Sequence, residues 1–336
     1  MHAFVTGSSG FIGRKLVDRL TEGGHVCTGL TRQVVPSNPS NTTKKLVSGD
    51  IGAPAATLAS QMQGCDVVFH LAALISFDTA RRTELMRING DGTERVLEAA
   101  RIARVPRVIV VSSACTVGMS HAPDVILDED EPFQTRWAAR NPYLASKQIA
   151  EQHAFSAAGR GQHVVIVCPT TVYGAGDHSL NSGTLIRQVS NARFIPVPPG
   201  GSNVVSIDDV VQGIILAAER GQSGRRYILG GTNLTFAEII SSICTSIGRR
   251  PWCVPLVSAA QLPMMGAAWL IQCLTRSNIL TPQIIADTFA YKFYASARAA
   301  TELGWKSQKS FTDSVKEAWR YYLNEGLISD VKGAAA

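Results

Sequence analysis

His2-Ala3-Phe4-Val5-Thr6-Gly7-Ser8-Ser9-Gly10-Phe11-Ile12-Gly13 is the stretch on which the fold turns. A short apolar strand runs into glycines at 7, 10 and 13, and an amphipathic helical pattern continues through about Leu20. In such an arrangement the first glycine permits a tight turn and the second lets backbone approach a pyrophosphate. The third lets helix pack closely on strand. A helix N-terminus facing the anion adds free N–H groups and a partial positive charge. The spacing is G-x-x-G-x-x-G rather than G-x-G-x-x-G, so the triplet takes its meaning from the strand before it and the helix after it. Dinucleotide contacts are expected from Gly7, Ser9, Gly10, Phe11, Ile12 and Gly13.

Working outward, apolar runs at 3–6, 26–30, 45–47, 67–71, 108–111 and 164–167 are separated by helix-length segments. That alternation calls for an α/β fold with a parallel sheet wound on both faces, the doubly wound Rossmann arrangement. After Pro169 the rhythm breaks into Gly- and Pro-rich sequence, notably Arg193-Phe194-Ile195-Pro196-Val197-Pro198-Pro199-Gly200-Gly201. The chain is expected to return to the sheet near Val204 before forming a smaller C-terminal α/β lobe. The expected division is a discontinuous nucleotide-binding domain, 1–169 with 204–229, and a substrate-binding lobe, 170–203 with 230–330. Residues 331–336 read as a disordered tail.

Further along, Tyr143 and Lys147 stand one helical turn apart, about thirty residues after the pair Ser112-Ser113. A free phenol has a pKa of about 10 and holds its proton too tightly to be a good base at neutral pH. A neighbouring ammonium and an oxidised nicotinamide would both favour phenolate. A strand-end hydroxyl would donate to the substrate oxygen. Taken singly, Tyr and Lys at this spacing form an ordinary amphipathic pair and Ser-Ser ends many strands. Their order after a nucleotide loop gives them a reading as acid/base, cofactor anchor and oxygen donor.

These residues resemble the extended branch of the short-chain dehydrogenase/reductase family, within the NAD(P)-dependent epimerase/dehydratase superfamily. Cys65-Asp66-Val67-Val68-Phe69-His70-Leu71-Ala72-Ala73, Ile88-Asn89-Gly90-Asp91-Gly92-Thr93 and Pro169-Thr170-Thr171-Val172-Tyr173-Gly174 extend the likeness. Val205-Ser206-Ile207-Asp208-Asp209-Val210 and Arg226-Tyr227-Ile228-Leu229-Gly230-Gly231 carry it over nearly the whole chain. Within the branch the sequence looks like dihydroflavonol-reductase-like and hopanoid-associated sugar-epimerase-like proteins, with 3β-hydroxysteroid dehydrogenases further off. The resemblance implies that Ser113, rather than Ser112, joins Tyr143 and Lys147 in catalysis, with Asn89 supporting a water or backbone relay or serving structurally. It implies cofactor contacts from Leu71, Ala72, Ala73, Pro169, Thr171, Val172, Tyr143 and Lys147, and an adenine contact from Asp50 and Ile51. Substrate contacts would come from Ser113, Ala114, Cys115, Tyr143, Thr170, Tyr173 and His178, and a homodimer is implied.

The nicotinamide cofactor is argued from the end of the second strand. NAD-selective proteins place a carboxylate there, whereas Thr31 is followed by Arg32. A guanidinium suits a 2′-phosphate, so NADP(H) is preferred, NAD(H) remains possible, and a solvated loop arginine is the competing account. Lys44 or Lys45 would add charge. The family's dehydratases carry an Asp-Glu pair after the active-site hydroxyl, but Ala114-Cys115-Thr116 follows here, which disfavours dehydration. The function expected is NADPH-dependent reduction of a ketone on a small or medium organic substrate, or its reverse. The alternatives are a sugar or nucleotide-sugar epimerase retaining NAD and a non-catalytic NADP-sensing module, which would commonly lack the tyrosine and lysine.

Composition fits a globular enzyme of 336 residues, with 45% hydrophobic and 17% charged side chains. The seven cysteines, at 27, 65, 115, 168, 244, 253 and 273, form no C-x-x-C pair, which argues for reduced thiols without disulfide framework or zinc. Scattered histidines give no metal site. With the first strand starting at residue 2 or 3, the expectation is no secretory signal and a cytoplasmic location. The net charge of +6 comes from dispersed basic residues with no nucleic-acid motif and reads as a generally basic surface; the partner the resemblance implies is a small carbonyl or alcohol substrate. The apolar stretch 258–274 is shorter than the usual span of about 20 and contains Gln261, Pro263 and Gln272. It reads as a lobe helix without stable membrane insertion, peripheral contact being the alternative. Pro255, Leu256, Met264, Met265 and Trp269 suggest either a lipophilic substrate or lobe core.

Overall fold

A computed structural model describes residues 1–32, 43–275 and 281–328. The predicted tail at 331–336 lies outside them. The amino-terminal half contains β1 (His2–Thr6), α1 (Phe11–Glu22), β2 (Val26–Thr31), β3 (Lys44–Ser48), α2 (Ala55–Gln61) and β4 (Val67–His70). It continues with α3 (Arg82–Leu85), α4 (Gly92–Ile102), β5 (Arg107–Val111), α5 (Thr135–Arg140), α6 (Pro142–Gly159) and β6 (Val164–Pro169). A π turn over Met86–Asp91 joins α3 to α4.

The second half contains β7 (Thr171–Tyr173), α7 (Gly183–Asn191), β8 (Phe194–Val197), β9 (Gly201–Ser206), α8 (Ile207–Arg220), β10 (Arg226–Leu229) and β11 (Thr232–Thr235). There follow α9 (Phe236–Ile247), β12 (Trp252–Pro255), α10 (Gln261–Thr275), α11 (Pro282–Thr288), β13 (Tyr291–Lys292) and α12 (Phe311–Asn324).

The strands order as β10-β6-β5-β4-β1-β2-β3 in a seven-stranded sheet, parallel at every junction. Both faces are covered. Phe4, Val68, Val108, Val110 and Ile166 enter one core cluster, whereas Ala3, Val5, Phe69, Ile109 and Val167 enter another. Strands buried on both sides have no polar face to show, so each reads as an unbroken apolar run rather than an alternation.

All six strands expected before Pro169 are present, and β10 adds a seventh. One expectation fails: the chain does not rejoin the main sheet near Val204. There β9 pairs in parallel with β7 and β13 and antiparallel with β11, building a separate four-stranded sheet. β7 begins two residues after β6 and has already left the main sheet, so β9 follows it, and the return waits until Arg226–Leu229 pairs with Ile166–Pro169. A two-stranded parallel ribbon of β8 and β12 lies beyond.

Candidate active site

The carboxyl ends of β1, β4 and β5 bring the expected residues together. Gly7, just past β1, has φ +69°, and a Cβ there would stand 2.7 Å from the Ala72 backbone nitrogen past β4. At Gly13 a Cβ would meet the Gly7 carbonyl oxygen at 2.1 Å, so the loop closes on α1 only with glycine in both places. Gly10 caps α1 without a side-chain hydrogen bond, and the first helical turn carries no acidic residue. The N–H groups of that turn, flanked by exposed Ser9 and half-buried Phe11 and Ile12, therefore suit a pyrophosphate.

Beneath this loop runs a buried chain of hydrogen bonds. The Ala72 N–H donates to Thr6 Oγ1 at 3.2 Å, Thr6 Oγ1 meets His70 Nδ1 at 2.8 Å, and His70 Nε2 meets Thr93 Oγ1 at 2.9 Å. Thr93 spends its own proton on the Asn89 carbonyl at 2.6 Å. The directions therefore assign the His70 proton to Nε2, with Nδ1 accepting from Thr6. Burial, reinforced by the Lys147 charge, pushes the imidazole down to about 3, so it stays neutral. The Leu71 N–H reaches the Thr6 carbonyl at 3.2 Å, tying the same strand ends together.

On the other side, α6 delivers Tyr143 and Lys147 against the end of β5. Asn141 caps α6 by accepting from the Leu144 N–H at 3.0 Å, and Pro142 opens the first turn. The Tyr143 phenol is hydrogen-bonded to Ser113. Ser113 starts a short 3₁₀ turn at Ala114–Thr116. Lys147 Nζ donates to the Val111 carbonyl at 2.9 Å.

The electrostatics differ from the sequence expectation. Burial drives the Tyr143 phenol well above its ordinary value, Cys115 adds to the rise, and only the Ser113 hydrogen bond opposes it. Lys147 is itself pushed down by burial. Among the chain's own groups the phenol therefore stands as a protonated donor, because burial and Cys115 outweigh the single hydrogen bond from Ser113.

Adjacent serines divide the work. Ser112 is buried and donates to Glu151 Oε1, leaving Ser113 to face Tyr143. Glu151, fully buried on α6 one turn beyond Lys147, also takes Arg226 Nη1 on its other oxygen at 3.5 Å. Burial raises its carboxyl while Ser112, Thr116 and Arg226 pull the other way. Sequence reasoning missed this group, because its significance rests on Arg226, 75 positions away on β10. Tyr294 was also missed: its hydroxyl donates to the Gly118 carbonyl at 2.7 Å, and Tyr291 bridges Ser120, stitching the C-terminal segment to the loop after Ser113.

Other predicted residues fall in varied places. The Asn89 amide donates to the Leu74 carbonyl at 2.9 Å and to Ser146 Oγ at 2.9 Å, while its oxygen accepts from the Leu74 N–H at 2.7 Å. Both amide protons are thus used in bracing α6 against the loop after β4, which favours the structural of its two readings. Arg32 is exposed just past β2. Asp50 is exposed and accepts from the Gly52 N–H at 2.7 Å, a local turn, while Ile51 is buried in the core. Pro169 ends β6, and Thr170 and Thr171 beyond it hydrogen-bond Asn203 and Ser202 at 2.8 Å each.

Two expected substrate contacts are engaged elsewhere. Tyr173 is 3% exposed and packs edge-on against Phe311 in the lobe core. His178 is held by Arg14 Nη1 at 2.6 Å and by the Tyr321 hydroxyl, on the side of α1. Both are fixed by tertiary partners invisible in a local motif. Met264 and Met265 pack around Ala268, Ile285 and Phe289, the lobe-core alternative, whereas Trp269 is exposed.

A family model described as the NAD dependent epimerase/dehydratase family matches residues 3–230. The chain is 31% identical over 338 residues to a putative dihydroflavonol 4-reductase of Synechocystis, covering 97% of this chain and 95% of that protein. It is 36% identical to a 4-hydroxy-2-methyl-3-oxo-4-farnesyl-3,4-dihydroquinoline-1-oxide ketoreductase of Stigmatella aurantiaca, over 90% of this chain and 88% of the other. A dTDP-glucose 4,6-dehydratase from Streptomyces venezuelae, solved with NAD bound, superposes with a TM-score of 0.76 at 24% identity, covering 99% and 100% of the two chains. That likeness speaks to the fold.

Proposed function

The chain belongs to the NAD dependent epimerase/dehydratase family, and on that premise we propose that it is an NADP(H)-preferring reductase interconverting a ketone and a secondary alcohol. Membership makes it an NAD(P)-dependent oxidoreductase; the direction, cofactor preference and site residues are our reading. The observation that carries it is a buried phenol, held protonated, hydrogen-bonded to Ser113 at the end of the strand whose carbonyl anchors Lys147. A dinucleotide would be held by the loop at Gly7–Gly13, by Arg32 and by Lys147, and when bound it supplies or accepts the hydride.

The chain's own groups do the rest. Ser113 holds the substrate oxygen beside the phenol, and Tyr143 gives that oxygen its proton during reduction. Lys147, fixed by its hydrogen bond to the Val111 carbonyl, is placed to hold the dinucleotide rather than to titrate the phenol. Buried Cys115-flanking residues offer no carboxylate for elimination of water, and Glu151 is committed to Ser112 and Arg226. The substrate enters between the nucleotide-binding sheet and the second sheet of β7, β9, β11 and β13, in a cytoplasmic homodimer.

Replacing Tyr143 by Phe tests this. Turnover of ketones should drop about 100- to 10,000-fold while NADPH affinity is retained. Turnover near that of the parent would refute the assignment. Arg32→Asp should shift preference toward NADH by about tenfold or more, read as the ratio of kcat/KM values for the two cofactors.

A further inference from the structure

From Pro251 to Thr275 the chain carries no charged residue, with Arg250 on one side and Arg276 on the other. Structure turns much of this segment outward. Trp252 is 80% exposed, Val257 68%, Leu262 76%, Trp269 59%, Leu270 53% and Leu274 76%. α10 has an inner side, Met264, Met265 and Ala268, which packs on Ile285 and Phe289. Its outer side should be polar if it faced water. Instead Leu262, Trp269, Leu270 and Leu274 occupy it, and between Leu262 and Leu274 the amide of Gln272 is the one strongly polar side chain.

The β8–β12 ribbon, which leads into α10 through residues 256–260, is also apolar and exposed. Phe194 and Trp252 are register partners, and both are exposed. Arg193 and Arg250, also exposed, sit at the same end of the ribbon, where the Trp252 N–H donates to the Arg193 carbonyl. An apolar helix face joined to an apolar ribbon and edged by cations and tryptophans is the chemistry of a bilayer interface. Hydrocarbon takes the leucines, indole N–H groups sit at headgroup depth, and guanidinium groups meet phosphates. At 15 residues α10 is about 22 Å long, short of the roughly 30 Å hydrocarbon core.

We propose that the outer face of α10 and the β8–β12 ribbon dock this protein on the surface of an anionic phospholipid bilayer, lying within the headgroup region without crossing it. A protein partner fits less well. Protein interfaces carry about one hydrogen bond per 100–200 Å², and this face offers almost no side chain to make them. Docking is independent of the reaction proposed above.

The test floats the full chain with phosphatidylcholine vesicles with and without phosphatidylglycerol, at near-physiological ionic strength. Association should require phosphatidylglycerol and be accompanied by quenching of tryptophan emission by lipids brominated near the headgroup. Trp269→Gln with Leu270→Gln should lower the bound fraction about tenfold, and Arg193→Glu with Arg250→Glu by a similar factor, with circular dichroism and thermal melting unchanged. Absence of association with either vesicle would overturn the proposal, as would equal association with both. A dimer that dissociates on the Trp269 and Leu270 changes, without vesicle association, would assign the face to a second copy and also overturn it.

Discussion

β6 and α10 are comparably apolar and meet opposite fates. In β6, Val164, Val165, Ile166, Val167 and Cys168 are all 0% exposed, because helices cover both faces of a sheet with strands on either side. In α10 a single inner side finds partners in α11, and the remainder faces outward. Hydrophobicity therefore decides burial only where the architecture supplies a second layer. Where it does not, apolar side chains become a surface with an affinity of its own.

The comparison can be attacked through pH first. His70 lies in the sheet and stays neutral down to about 3, whereas Pro251–Thr275 contains no titratable side chain except cysteine. The unfolded imidazole takes up a proton near 6.5 and the folded one does not, so stability is complete above pH 6.5 and is lost as pH falls toward 3. The loss is about 1.36 kcal/mol per pH unit, about 5 kcal/mol in all. Denaturant midpoints across that range should show it, and His70→Gln should flatten the curve. An unchanged slope would remove His70 as its source.

Next in size, Ile166→Ala should cost about 2–5 kcal/mol by chemical denaturation, the penalty for a cavity between two packed layers. Smallest, Leu262→Ala should change stability by less than about 0.5 kcal/mol, as for an exposed site. Similar penalties at the two positions would erase the contrast between sheet and lobe.

Legibility follows the same division. β4, β5 and β6 could be read because doubly covered strands are written as continuous apolar runs, and the nucleotide loop because glycine is compulsory at Gly7 and Gly13. The second sheet could not: Tyr291–Lys292 is a strand only because Gly201–Ser202 lies alongside. At the site, the Tyr143, Lys147 and Ser113 juxtaposition was legible from order along the chain. The raised phenol was not, since burial is a property of everything packed around it. Nor was the Glu151 network, whose members come from the residue just past β5, from α6 and from β10.

The seam at Tyr294–Gly118 and Tyr291–Ser120 has a mechanical corollary. Shortening the polypeptide ahead of residue 290 would strip the outer wall from the turn that begins at Ser113, even though every residue of the nucleotide loop, α6 and β5 was still in place. The segment around Tyr291–Tyr294 is thus part of the scaffold of a centre assembled from the first half of the chain.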